Sequence, residues 1–205
     1  MSDADRERWE NRYRGGSRPS TADPWVVERL ERLPRRRLLE VAAGEGALAL
    51  EAASLGFAVT AIDITAMALG RLEAEARRRG LVLETRTADL DDAAALAGLA
   101  PFAAMTVTRY KPSPWQWHQL ASLLETGGDL LLCSFSPAQD SIRPAFRLDR
   151  GELTGMLGPM GLRLLEWRTF ERKGDHLAGS HWRKEGIFPD FSSDLQKFVG
   201  IKSLT

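Results

Sequence analysis

Residues 40–50 read Glu40-Val41-Ala42-Ala43-Gly44-Glu45-Gly46-Ala47-Leu48-Ala49-Leu50, EVAAGEGALAL. An apolar run, RLLEVAA, carries a carboxylate at Glu40 and breaks at two glycines one residue apart. A helix of small and apolar residues, ALALEAASLG, follows, with Gly56 as its C-terminal cap. The stretch therefore predicts a strand, a tight turn and a helix. Gly44 to Ala49 satisfies G-x-G-x-x-G/A, a turn that lets a ligand approach the backbone and a helix N-terminus. Two glycines at such a place also suit a bare structural bend. The rest of the chain decides between these readings.

Downstream the rhythm repeats. FAVTAID is rich in β-formers and ends at Asp63; ITAMALGRLEAEARRRG is a long helix stopped by Gly80; LVLETRTADL is a third strand ending in Asp89. A short helix, DDAAALAGL, leads to a fourth strand, AAMTVTRY. A tryptophan-containing helix, SPWQWHQLASLLETGG, leads to a fifth strand, DLLLCSF. Strands alternating with helices imply a mainly parallel sheet covered on both faces. Beyond residue 136 a proline-containing loop, SPAQDSIRPAF, and a helix, DRGELTGMLGPM, precede two strand-like segments, GLRLLEWRTFER and HLAGSHWRKEGIF. Their short KGDH turn predicts an antiparallel hairpin at one sheet edge. Upstream lies a polar leader, 1–36, with turn signals at GGSRPSTADP and a short helix, WVVERLERL, opened by Asp23 and ended by Pro34. One domain, 1–205, accounts for everything: leader 1–36, core 37–136, helix and hairpin 137–190, tail 191–205.

The 205 residues suffice for one α/β domain, and 28 basic against 28 acidic residues supply no excess of charge for nucleic acid. The runs Arg35-Arg36-Arg37 and Arg77-Arg78-Arg79 read as solvated ends of elements. Cys133 is the single cysteine, so no disulfide can form within the chain, and among leucines it reads as a small buried hydrophobe. MSDADRERWE is too charged for a signal peptide, and no apolar run approaches membrane-spanning length. The expectation is a cytoplasmic protein with neither membrane nor nucleic-acid partner. His118, His176 and His181 lack partners at metal-ligand spacing, so no metal site is expected.

In open parallel sheets ligands bind beyond the carboxyl ends of the strands, near the topological switch point. Three successive strands bring acids there: Glu40 with its glycine loop, Asp63, and Asp89-Leu90. Any one acid could be a helix cap; three together point to a ligand that wants acids. Carboxylates repel a pyrophosphate, which prefers bare N–H groups. S-adenosylmethionine offers an ammonium, a ribose diol and an adenine amine, to be met by Glu40, Asp63 and Asp89 respectively.

With these residues in place, the chain resembles the class I S-adenosylmethionine-dependent methyltransferases, and most of all the small tellurite-resistance/thiopurine type. The likeness runs from about residue 9 to 185. It rests on Trp9-Glu10-Asn11-Arg12-Tyr13 for W-x-x-R-Y, Asp23-Pro24-Trp25 before a helix, and LLEVAAGEG for the L-D/E-x-x-x-G-E-G core. It rests further on VTAIDIT, Asp89-Leu90, LLETGG before strand five and Gly151-Glu152-Leu153. The chain departs from the family at Ala47-Leu48, where Arg-Asn is usual, and at FAAM, where Phe-Asp is usual. The last twenty residues have no counterpart.

The resemblance implies a Rossmann-like class I fold with a seven-stranded sheet. It implies a donor site built from Glu40, Ala42, Gly44, Glu45, Gly46, Asp63, Ile64, Asp89 and Leu90. Trp9, Arg12 and Tyr13 would form a lid. Methyl transfer is an in-line displacement in which orientation counts for most. A small-molecule acceptor is expected over strand four and its loop, with Tyr110 and Arg109 orienting it and Trp115 nearby. Trp117 reads as core on an amphipathic helix. The expected assembly is a monomer or homodimer. Two rivals remain. One is an NAD(P)-binding oxidoreductase, disfavoured by Glu40 and by the lack of a Tyr-x-x-x-Lys pair. The other is a non-catalytic binding protein of this fold, for which Ala47-Leu48 and Ala103-Ala104 leave room.

Overall fold

The computed structural model describes residues 3–16, 21–99 and 101–185, with side chains from residue 6 onward. The tail expected at 191–205, the end of the last strand-like segment and part of the GGSRPS turn lie outside the described residues.

Seven strands form one sheet in the order β3-β2-β1-β4-β5-β7-β6. β1 (Arg37–Val41), β2 (Ala58–Asp63), β3 (Glu84–Thr87), β4 (Phe102–Thr108) and β5 (Leu124–Phe135) are parallel. β7 (Asp175–Lys184) runs antiparallel to β5 and to the edge strand β6 (Leu162–Arg172). The helices are α1 (Asp3–Arg14), α2 (Pro24–Leu30), α3 (Ala47–Ser54), α4 (Ala66–Arg79), α5 (Pro114–Leu123) and α6 (Arg150–Leu157). β1 is buried from Leu38 to Val41 because both of its faces are covered. Leu39 and Val41 join a core with Trp117, Leu120, Leu153 and Trp182. Leu38 joins a second core with Trp25, Leu48, Leu69 and Leu72. The strand order reverses between β1 and β4, which places the switch point beside the glycine turn.

Two boundaries differ from the sequence reading. The helix expected over 113–128 ends at Leu123, where Lys184 Nζ donates to the carbonyls of Ala121 and Leu124 (2.6 and 2.8 Å). β4 pairs Phe102 with Leu124 and then Ala104 with Asp129, so residues 125–128 bulge out of the ladder inside β5. The helix expected at DDAAALAGL is a single 3₁₀ turn, Ala93–Leu96. The hairpin matches expectation, with Lys173 and Gly174 at φ 52 and 82°, the left-handed pair a two-residue turn requires. Cys133 is buried, and burial followed by the neighbouring Asp23 carboxylate pushes its thiol pKa up, which fits an inert core residue. No helix among the described residues is long and apolar enough to cross a membrane.

α2 begins as its sequence prescribes: Asp23 accepts from Trp25 N (3.0 Å) and Pro24 occupies the first turn. Its indole lies on Gly179 of β7, where a Cβ would come within 2.7 Å of ring carbons. The Arg29 guanidinium stacks 3.8 Å from that ring and pairs with Glu166 of β6. Gly179→Ala should therefore destabilise the protein by about 1–3 kcal/mol, the usual cost of overpacking against a rigid ring. Equilibrium urea unfolding checks this, and an unchanged midpoint would refute the packing.

Candidate functional site

The chain leaves β1 through Ala42, held at φ 53°, and turns through Gly44 (φ 56°) and Gly46 (φ 68°), the N-cap of α3. Left-handed backbone is unstrained for the glycines and costs the alanine on the order of 1 kcal/mol. Ala43 N bonds Ile62 O at 3.0 Å and Gly46 N bonds Ala43 O at 2.9 Å, fastening the turn to the end of β2. A Cβ on Gly46 would overlap the Leu72 side chain of α4, so this glycine is needed for packing as well as for its dihedral.

Asp63 ends β2 and is 9% exposed. Its Oδ2 accepts Gly44 N at 2.8 Å, and its Oδ1 accepts Thr65 N at 2.9 Å and Thr65 Oγ1 at 2.6 Å. The expected ribose acid is thus also the brace of the glycine turn, and its oxygens keep further lone pairs for a ligand. Ile64 beside it is buried.

Glu40 is 2% exposed, and its Oε2 has no hydrogen-bond partner. Burial raises its pKa to about 8, against the pull of a hydrogen bond from the Ala49 backbone and with a further push from Asp63. Its register neighbour on β4 is Thr106, whose buried hydroxyl also lacks a partner. Two residues with orphaned polar atoms therefore occupy paired positions on β1 and β4, two residues before the turn begins at Ala42.

Asp89, just beyond β3, accepts Asp91 N at 2.9 Å and faces Arg6 of α1 at 3.8 Å; Leu90 is buried. Tyr110 does not stand free over strand four. Its hydroxyl donates to Gln116 Oε1 at 2.6 Å, and Gln116 Nε2 donates to Asp91 at 2.7 Å. Buried Gln116 thereby links the β4 loop to the Asp89 turn, a role the site reading missed. The Ser113-x-x-Gln116 capping box was its legible signal. Arg109, at φ 56°, turns to the hairpin instead, pairing with Asp175 at 2.9 Å and lying 4.9 Å from the Phe135 ring. Tyr110 and Arg109 are thus held by different partners. Trp115 is 55% exposed at the start of α5, while Trp117 is core, as expected.

The leader residues Trp9, Arg12 and Tyr13 lie on a helix, α1, ahead of the turn signals at GGSRPSTADP. The half-buried face of α1 holds Trp9 and Tyr13, whose rings stack at 6.4 Å, with Arg12 5.1 Å from the indole. The Tyr13 hydroxyl stands 2.5 Å from where a Gly44 Cβ would be. Burial, then the Asp63 charge, raises its pKa to about 12. Arg71 of α4 pairs with Glu45 at 2.6 Å and donates to the Tyr13 carbonyl at 2.7 Å. The tip of α1, the glycine turn and the end of β2 thus meet at one place.

No family model matches the chain, and no curated protein does. Solved structures do. A structure described with the conversion of a disulfide bond into a thioacetal group during echinomycin biosynthesis superposes with a TM-score of 0.73 at 20% identity, over 94% of this chain and 97% of that one. Magnesium protoporphyrin IX methyltransferase from Synechocystis, with bound S-adenosylmethionine, gives 0.64 at 19% identity, over 78% of this chain and 76% of that one. The fold is that of the class I methyltransferases. TehB from Haemophilus influenzae also shares it, with a TM-score of 0.64 at 18% identity, over 80% of this chain and 63% of that one. At such identities the likeness is one of fold; the finer resemblance to the small tellurite-resistance/thiopurine type rests on the sequence motifs. The class I methyltransferase fold sets the Glu40 turn, Asp63 and Asp89 along the carboxyl edge of one sheet.

Proposed function

We propose that the chain binds S-adenosylmethionine at the glycine turn and transfers its methyl group to a small-molecule nucleophile. One observation carries the reading: Glu40, a buried carboxyl group with an unpartnered oxygen, stands on the strand that runs into the turn. With its pKa raised to about 8, Glu40 offers a pyrophosphate no cation to pair with, whereas an ammonium group would draw off its proton and find a carboxylate counter-charge. The bound donor supplies an electrophilic methyl on a sulfonium, open to in-line attack. Around it the chain's own groups have distinct tasks. Glu40 faces the amino-acid end, Asp63 offers spare lone pairs to the ribose diol, and Asp89 lies on the adenine side. Trp9 and Tyr13 cover the site and exclude water. Tyr13, protonated up to about 12, is a hydrogen-bond donor there and no base at neutral pH. The proposal extends to a cytoplasmic monomer or homodimer acting on small acceptors.

Titration calorimetry with S-adenosylhomocysteine and with NADH separates the candidates. The homocysteine product should bind and NADH should not. Binding of NADH alone would favour the oxidoreductase, and release of S-adenosylhomocysteine across an acceptor panel would establish catalysis.

A further inference from the structure

Arg71 lies outside the sequence motifs, on the second turn of α4, yet it touches two other parts of the site. One nitrogen, Nη1, pairs with Glu45 between the two glycines at 2.6 Å. The other, Nη2, donates to the carbonyl of Tyr13 near the end of α1 at 2.7 Å. That carbonyl belongs to the last turn of α1, where it also accepts Gly16 N at 3.2 Å and where the helix dipole favours a cation. At the far end of α1, Arg6 faces Asp89 at 3.8 Å. Arg6 and Tyr13 are two helical turns apart on one face, so α1 reaches across roughly 10 Å from the tip of β3 to the glycine turn.

We propose that Arg71 is a positioning residue that couples the glycine turn to α1, so that the aromatic cover and the donor loop open and close as one unit. This rests on reading the turn as the seat of S-adenosylmethionine. Arg71 touches no reacting atom; it acts through Glu45 and Tyr13. Its side chain is 40% exposed, so removing it leaves the cores intact, while each of its contacts is charge-assisted.

The test has a ligand-free arm and a ligand arm, both on the full chain. In hydrogen exchange without ligand, Arg71→Ala should speed exchange of the α1 amides roughly three- to tenfold, the scale of one part-exposed charged hydrogen bond. In stopped-flow measurements, S-adenosylhomocysteine should both enter and leave faster by a similar factor, and added ethylguanidine should restore the slow rates. Glu45→Gln, which cuts only one arm of the coupling, should give a smaller change in the same direction. Unchanged α1 exchange together with unchanged ligand rates would overturn the coupling. Faster α1 exchange in a protein that binds no S-adenosylhomocysteine would uphold the coupling and sink the cofactor reading instead.

Discussion

Asp63→Ala should weaken binding of S-adenosylhomocysteine about a hundredfold or more, equivalent to about 2.7 kcal/mol. The side chain accepts three hydrogen bonds, from Gly44 N, Thr65 N and Thr65 Oγ1. Hydrogen bonds to charged acceptors contribute about 1.5–3 kcal/mol each. Alanine would lose the ribose partner and also free the Gly44 amide and the start of α4, so the melting temperature should fall with the affinity. Asp63→Asn separates the two roles. Its amide can accept on one oxygen only, so it would keep the shape of the site while setting one N–H against another. Calorimetry and thermal melts on both variants measure the effect, and an unaltered affinity in the alanine variant would end the ribose assignment.

The second large effect concerns Glu40 and pH. The unfolded side chain titrates near 4.5, and in the fold burial raises this to about 8. The folded state therefore favours the proton. The resulting stability is complete below pH 4.5 and is lost as pH rises through about 8. By pH 7 the loss is about 3 kcal/mol. Glu40→Gln should abolish this decline, so its denaturation midpoint should stay level across the window in which wild type falls. An ammonium bound beside Glu40 would draw its proton off. S-adenosylhomocysteine binding at pH 7 should accordingly release protons, visible as a dependence of the heat on buffer ionisation enthalpy, and the glutamine variant should show none. Parallel pH profiles for the two proteins would refute the burial argument.

The strand tips were legible because their chemistry is local. Glu40 interrupts an apolar run, and Asp63 and Asp89 end strand-like segments, so each carboxylate stands out against its local pattern. What those acids touch was not legible. Asp63 binds the turn 19 residues away, and Tyr110 gives its hydroxyl to Gln116. Such partners depend on how strands and loops are stacked, which no window of residues contains. The boundary at Leu123 failed for a related reason. LLETGG continues a helical pattern, but Lys184 from the far end of the chain takes the last carbonyls. The W-x-x-R-Y leader drew attention only through resemblance, because its Tyr13 hydroxyl lies against Gly44 and its Tyr13 carbonyl is held by Arg71, both distant in sequence.

The seating of α2 bears on how the chain is made. Its indole rests on β7, its Arg29 pairs with Glu166 at a separation of 137 residues, and Arg172 binds its N-cap Asp23 across 149 residues. On the ribosome α2 appears early and these hairpin partners late, on the order of ten seconds later at about 5–20 residues per second. Throughout that interval Trp25 lacks the β7 surface it rests on, and Arg29 and Asp23 lack their ion partners. Truncated or stalled chains should thus be the sticky ones, and a chaperone would find its grip on this short helix until the final hairpin arrives.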